Sequence, residues 1–109
     1  MLNEGLPLHP LQEQKDSVKK WRQIGLGIFG LADLLIKLHI EYGSGESIKL
    51  CEKIAHTMIN QSLQTSALLS KNEGAYPACN INDIVSTDFF KFNARQKVSF
   101  YVHQFGLRN

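Results

Sequence analysis

The sequence predicts a mainly α-helical chain with at most one or two short strands, on three observations. Apolar residues recur at spacings of three and four through residues 46–71. The run Leu31-Ala-Asp-Leu-Leu-Ile-Lys-Leu-His39 is apolar almost all round. A last periodic segment, Ala94 to Phe105, places Val98, Tyr101 or Val102, and Phe105 on one side. With 109 residues the chain makes one domain or part of one. A chain of this size buries a modest share of its surface, so its core is marginal without neighbours. Residues 1–109 are therefore expected to form a single partial domain, with 1–9 as an irregular lead-in.

The lead-in holds Gly5 and Pro7 among polar residues. Pro10 suits the first turn of a helix, where its missing N–H costs nothing. That helix should run to about Arg22, with Leu11, Val18 and Trp21 on one side and Gln12, Glu13, Lys15, Lys19 and Lys20 toward water. Gly25, Gly27 and Gly30 disfavour a helix over the next segment, so an extended or tightly turned backbone is expected there. The helix from Leu31 to about His39 should be buried, because it is apolar almost all round. Tyr42-Gly-Ser-Gly45 ends it.

Ser44 or Ser47 then caps the longest helix, Glu46 to Lys71, with Glu46 near the positive end of its dipole. One row, Ile48, Cys51, Ala55, Met58, Ser62, Thr65 and Leu69, is narrow and small-sided and should approach another helix closely. Leu50, Ile54, Ile59, Leu63 and Leu68 form the neighbouring row. Gly74 is placed to stop the helix, and Pro77 prevents its resumption. Ala78 to Asn93 reads as irregular, with one short turn around Thr87 to Phe90, and Gly106 closes the final helix.

The bulk composition excludes several function classes. With 43% hydrophobic and 20% charged residues the chain is globular rather than disordered. A formal net charge of +2 gives no reason to expect nucleic acid or an anionic membrane as partner. Met1 to Pro10 holds no apolar signal region. The longest apolar stretch, Ile24 to Leu38, is interrupted by Gly25, Gly27, Gly30, Asp33 and Lys37 and cannot span a bilayer. A cytoplasmic location is expected. Cys51 and Cys79 form no C-x-x-C, and each reads as a small buried or half-buried apolar residue rather than as half of a disulfide.

Candidate chemistry is sparse. Gly25-x-Gly27-x-x-Gly30 matches the dinucleotide fingerprint in letters. That fingerprint works only between a strand and a helix of a βαβ unit, and Lys19-Lys-Trp-Arg-Gln23 is a poor buried strand with no second strand to follow. Glycines that let the backbone pass close to packed elements explain the spacing better. The four histidines, His9, His39, His56 and His103, never stand three or four apart, so a metal site is not expected. Asp33, inside the most apolar helix, should be paired or hydrogen-bonded. Ser62, Thr65 and Ser66 have no His–Asp companions in sequence. Lys15, Lys19, Lys20 and Arg22 around Trp21 read as a solvated helix face. The residues by themselves support a small, incompletely self-sufficient helical unit.

Four segments carry a resemblance. Arg22-Gln-Ile-Gly-Leu-Gly-Ile-Phe-Gly-Leu-Ala-Asp33 resembles the R-x-I-G-L-G-x-x-G-L-A-D segment of ribonucleotide reductase catalytic subunits. Leu34 to Ser44 resembles the continuation L-I-x-L-x-I-x-Y-x-S. Ser66-Ala-Leu-Leu-Ser-Lys-Asn-Glu-Gly74, with Pro77 after it, is similar to S-x-L-L-A-K-E-x-G-x-x-P. Gly106-Leu-Arg-Asn109 matches the G-L-R-N that precedes a serine-rich substrate-phosphate loop in that family. The lead-in from His9 to Gln23 is most similar to the adenosylcobalamin-dependent class.

The resemblance implies that the chain is a helical piece of a ten-stranded α/β barrel. Ile24 to Ile28 would contribute a barrel strand, with the helices packed outside it. It implies a parent enzyme, a ribonucleoside-diphosphate or -triphosphate reductase, that replaces the ribose 2′-hydroxyl by hydrogen through a thiyl radical. The family's catalytic cysteines lie before and after this segment, and Cys51 and Cys79 match none of them. No catalytic, cofactor-binding or metal-binding residue is therefore expected here, and adenosylcobalamin is implied for the parent alone. The implied partner is the remainder of the reductase chain, with self-association through apolar helix faces when the segment stands alone. His39 departs from the family, which commonly has Gly there, and should alter the helix end. Two rival readings remain: a standalone helical protein-interaction module using the small-sided row, and a nucleotide-binding domain using Gly25, Gly27 and Gly30.

Overall fold

The computed structural model describes residues 2–109, and these form helices joined by short connections, with no strand among them. Met1, part of the expected lead-in, lies outside the described residues. The rest of the lead-in is not irregular as expected. Leu2–Gly5 forms a short helix, α1, and Leu6–Leu8 a 3-10 turn with Pro7 in its opening positions. A proline that suits a loop equally suits the start of a helical turn, where its fixed φ is already right. Helix α2, Gln12–Trp21, ends at Arg22, which adopts the left-handed conformation (φ 47) while its N–H bonds the Val18 carbonyl.

Residues 22–30 are neither helix nor strand, and no backbone ladder forms over Ile24 to Ile28. Gly30 at φ 81 opens helix α3, Leu31–Lys37. This helix is the clearest departure from expectation: of its residues only Leu35 is buried, and Ile36 is 71% exposed. Asp33 and Lys37 lie four apart on one face, and of the apolar remainder the chain covers Leu35 and leaves Leu34, Ile36 and Leu38 exposed.

Helix α4, Gly45–Glu73, is capped by Ser44, whose Oγ accepts the Ser47 N–H at 3.2 Å. Ser47 Oγ returns a bond to the Ser44 carbonyl at 2.8 Å. Gly74 (φ 84) stops the helix as its position suggests. The stretch expected to be irregular holds two short helices, α5 (Ile81–Ser86) and α6 (Asp88–Asn93). Each begins at a side-chain cap: Asn80 accepts the Asn82 N–H, and Thr87 accepts the Phe90 N–H. Helix α7, Gln96–Phe105, completes the set.

The core lies where the second half of α4 meets α7, with α5 and α6 closing it. Ala67, Phe90, Val98, Val102 and Leu107 form its centre, flanked by Leu63, Tyr76, Ile84, Val85, Ala94 and Tyr101. The row of α4 expected to meet a partner does not do so: Ile48, Ala55, Ser62, Thr65 and Leu69 are exposed. Beyond Ser47 in its first turn, the buried positions are Asn60, Ser66, Ala67 and Ser70. They lie one row over, because polar side chains there satisfy backbone groups at both ends of α7 and beyond it.

Asn60 fastens the α7 start. It donates to the Asn93 carbonyl (2.8 Å) and accepts the Arg95 N–H (2.8 Å), at 2% exposure. The molecule is elongated, 48 × 35 × 22 Å, with a radius of gyration of 17.1 Å. A self-contained chain of this length would fold to about 13 Å. Helix α4 accounts for much of the length: its 29 residues span roughly 44 Å at about 1.5 Å each.

Candidate functional site

Residues Phe105 to Asn109 form a strap that continues α7 and is bonded to other parts of the chain at Phe105, Leu107, Arg108 and Asn109. Ser70 Oγ donates to the Phe105 carbonyl. The Gly106 N–H closes on Val102 (2.9 Å), and the Leu107 carbonyl accepts the Tyr76 N–H (2.9 Å). Ser66 Oγ accepts the N–H groups of Arg108 and Asn109, each at 3.0 Å, and donates to the Asn109 carbonyl at 3.1 Å. The Arg108 side chain donates to the Gly74 carbonyl (3.3 Å) and lies 3.3 Å from the Glu73 carboxylate. Arg22 Nε donates to the Arg108 carbonyl (3.2 Å), and its Nη1 to Asn3 Oδ1 (2.9 Å).

Gly106 is required at the bend. Its φ is +66, and a Cβ there would stand 3.1 Å from Cys79 Sγ and 3.3 Å from Ala75 Cβ. The same crowding brings Tyr76 and Cys79 together. Burial pushes the Tyr76 phenol above its ordinary value of 10.0, with the Cys79 sulfur and the Asp83 carboxylate adding to the shift.

Three of the four segments that carry the family resemblance thus converge here: Arg22, Ser66 to Pro77, and Gly106 to Asn109. Ser66 heads one of those segments and has no companions for a nucleophile; its side chain binds backbone instead. The available signal was the Ser66 and Ser70 pair, one helical turn apart on the α4 face that also buries Ala67.

The other candidates do not assemble. Asp33, expected to be paired within a buried helix, is exposed. Gly25 and Gly27 are exposed, and a Cβ at either would meet nothing within 4 Å, so no close backbone approach explains them in this chain. No strand precedes them, which removes the context a dinucleotide fingerprint needs. Among the described residues no three His, Cys, Asp or Glu side chains gather for a metal ion. His56 contacts Asn60 on its own helix, and His103 borders a separate cleft with Lys91 and Phe90. Cys51 and Cys79 are free and half-buried. Lys20 lies over the Trp21 ring, 5.4 Å from its centre, on an exposed face of α2.

An open groove of about 350 Å³ runs between Gly27, Ile28 and Leu31 on one side and Cys51, Ile54, Ala55, Met58 and Ile59 of α4 on the other. Its wall is almost wholly apolar. Ile24 (57%), Leu26 (69%) and Phe29 (103%) stand exposed beside it. No helix of the described residues is long and apolar enough to cross a membrane. The site holds a backbone in a fixed path.

Comparison with known proteins agrees with this geometry. The family model for the "Ribonucleotide reductase, barrel domain" matches residues 6–109. Over 69 residues, 63% of the chain, the sequence is 38% identical to the vitamin B12-dependent ribonucleoside-diphosphate reductase of Thermoplasma acidophilum, and covers 9% of that protein. Over 70 residues, 64% of the chain, it is 34% identical to the ribonucleoside-diphosphate reductase large subunit of African swine fever virus, covering 9% of it. It is equally similar, at 34% over 70 residues and 64% of the chain, to the vitamin B12-dependent ribonucleoside-diphosphate reductase of Mycobacterium tuberculosis, of which it covers 10%. The chain therefore spans about a tenth of the length of these curated relatives. No solved structure matches.

Proposed function

Because this chain belongs to the ribonucleotide reductase barrel-domain family, we propose that it is a wall segment of a catalytic subunit that reduces ribonucleotides to deoxyribonucleotides by thiyl-radical chemistry. The observation that carries the reading is the strap. Gly106 to Asn109, the segment that resembles the approach to the substrate-phosphate loop, is tied to α4, Tyr76 and Arg22 by hydrogen bonds across the chain. In this reading α4, α7 and Arg22 deliver the chain past Asn109 to that loop, and the segment's role is structural. The thiyl-forming and electron-donating cysteines belong to other parts of the parent.

Adenosylcobalamin belongs to the parent in the same way. Two of the relatives are named as vitamin B12-dependent. The groove beside α4 does not fit such a group, since a corrinoid's amide arms need polar partners and this wall is apolar. The partner that does suit the groove and the exposed faces of α3 is the remainder of the reductase chain. Without it, those faces favour self-association. The free thiols fit a reducing cytoplasm.

A second reading, a standalone helical interaction module, draws on one observation: the small-sided row of α4 is open rather than packed. The test is direct. The full-length chain that contains this segment is expressed and assayed with ribonucleoside di- and triphosphates, a dithiol, and adenosylcobalamin. Formation of a deoxynucleotide is expected. No product with either substrate, with or without a radical-bearing companion subunit, contradicts the reductase reading.

A further inference from the structure

A second cleft, of about 240 Å³, opens where α5, α6 and α7 meet. Val85, Phe90 and Ala94 line it with apolar surface, and Lys91, Ser99 and His103 supply its polar groups. Phe90 belongs to the buried core, and Val85 and Ala94 pack against that core, so the apolar side of the cleft is held in place. Ser99 and His103 stand four apart on α7, one turn from each other on one face; Lys91 comes from α6. Among the described residues no carboxylate lines the cleft.

The three polar side chains have no partner within the chain. Among the described residues, none of Lys91, Ser99 and His103 makes a side-chain hydrogen bond or ion pair. Ser99 shows this best. A serine or threonine inside a helix can bond back to the carbonyl four residues earlier. Thr57 does so to Lys53 at 2.8 Å, and Ser62 to Met58 at 2.7 Å. At Ser99 the backbone N–H takes the Arg95 carbonyl at 2.8 Å, and the half-buried hydroxyl is left for the cleft. An ammonium only donates, an imidazole keeps at least one N–H, and a hydroxyl donates as readily as it accepts. Donors of this kind, with no carboxylate among them, suit an anion.

We propose that this cleft binds a small organic oxyanion. The carboxylate or phosphate head meets Lys91, Ser99 and His103, while an apolar body lies on Val85, Phe90 and Ala94. A few convergent polar groups on an apolar wall are the usual make-up of a small-molecule site. The size is suitable: a cavity of about 150 Å³ holds a benzene ring, and this cleft has room for a head group besides. Nothing in this site depends on the reductase reading, and a parent that reduces no nucleotide leaves it standing.

The experiment uses the polypeptide at its native length that contains this segment. Binding is followed by saturation-transfer difference NMR with phenyl phosphate, benzoate and the uncharged benzyl alcohol as probes. Saturable binding of at least one of the two anions in the millimolar range is expected, at least about tenfold tighter than that of benzyl alcohol. Whichever anion binds more tightly identifies the head group, and either supports the site. Lys91→Ala should weaken binding about tenfold, through loss of a charge-assisted hydrogen bond, and Ser99→Ala about threefold. Lys49→Ala, an exposed lysine on α4, should leave it unchanged. The exposed Lys91 can be truncated with little effect on folding, so its variant keeps the test open even if Ser99→Ala is unstable. Absence of saturable binding by both anions overturns the proposal. So does benzyl alcohol binding as tightly as the anions, or anion binding that Lys91→Ala leaves unaltered.

Discussion

His39 holds a left-handed backbone (φ 55) just past α3, while the Ile40 N–H reaches back to the Leu35 carbonyl at 2.9 Å and closes the helix end. Glycine adopts this conformation freely; a side chain costs about 1–2 kcal/mol. Part of that gain is offset by the extra freedom glycine gives the unfolded chain, about 0.4–1 kcal/mol. His39→Gly should therefore stabilise by about 0.5–1 kcal/mol, read as a higher denaturation midpoint; a lower midpoint contradicts the account of this turn. At Tyr76 the phenol is held neutral above its ordinary 10.0, first by burial. The unfolded chain then loses its phenolic proton first as pH rises, so stability falls as pH climbs above 10 toward the folded value. Denaturation midpoints between pH 9 and 11 should show this fall, and Tyr76→Phe should lessen it.

At the scale of elements, polar side chains of α4 hold the helices in register as much as apolar contact does. Asn60 is the clearest case: its truncation leaves the part-buried Arg95 N–H and Asn93 carbonyl without their side-chain partner. Asn60→Ala should cost about 2–3 kcal/mol, from the lost bonds and the unsatisfied groups together. Loss of under about 0.5 kcal/mol by chemical denaturation would show that water replaces the side chain without penalty. Where the sequence marked its elements, it did so by end signals. Ser44 and Gly74 bound α4, Gly30 opens α3, and Gly106 ends α7. Helix α5 shows no period in the sequence, and α6 shows only as the short turn around Thr87 to Phe90, because six residues are fewer than two turns. Asn80 and Thr87 were their only markers. The packing face of α4 was misread for a different reason. Hydrophobicity favours Ile48 and Leu69, but hydrogen bonding by Asn60, Ser66 and Ser70 selects the row that α7 meets. The strap was legible only as the match of Gly106 to Asn109 to a family segment; that Ser66 binds it across 42–43 residues of chain needed coordinates.

At the scale of the molecule, a radius of gyration of 17.1 Å records a core serving only part of the chain. Leu26, Phe29, Ile36 and Ile48 lie outside it, each more than half exposed. Their number and adjacency to the groove exceed what scattered surface apolar residues explain. The isolated 109-residue chain should bind ANS and self-associate in sedimentation; a monodisperse monomer that leaves ANS dark contradicts that expectation. The same surface becomes ordinary if a much longer polypeptide covers it, which is the central claim about what this chain is for. The most direct test is the intact mass of the native polypeptide carrying this segment, recovered from its source cells with an antibody to residues 45–73. The account predicts a species far larger than 12.3 kDa, in which the segment walls a reductase barrel. A species of 12.3 kDa alone contradicts it and leaves the exposed row of α4 as the surface of an independent interaction module.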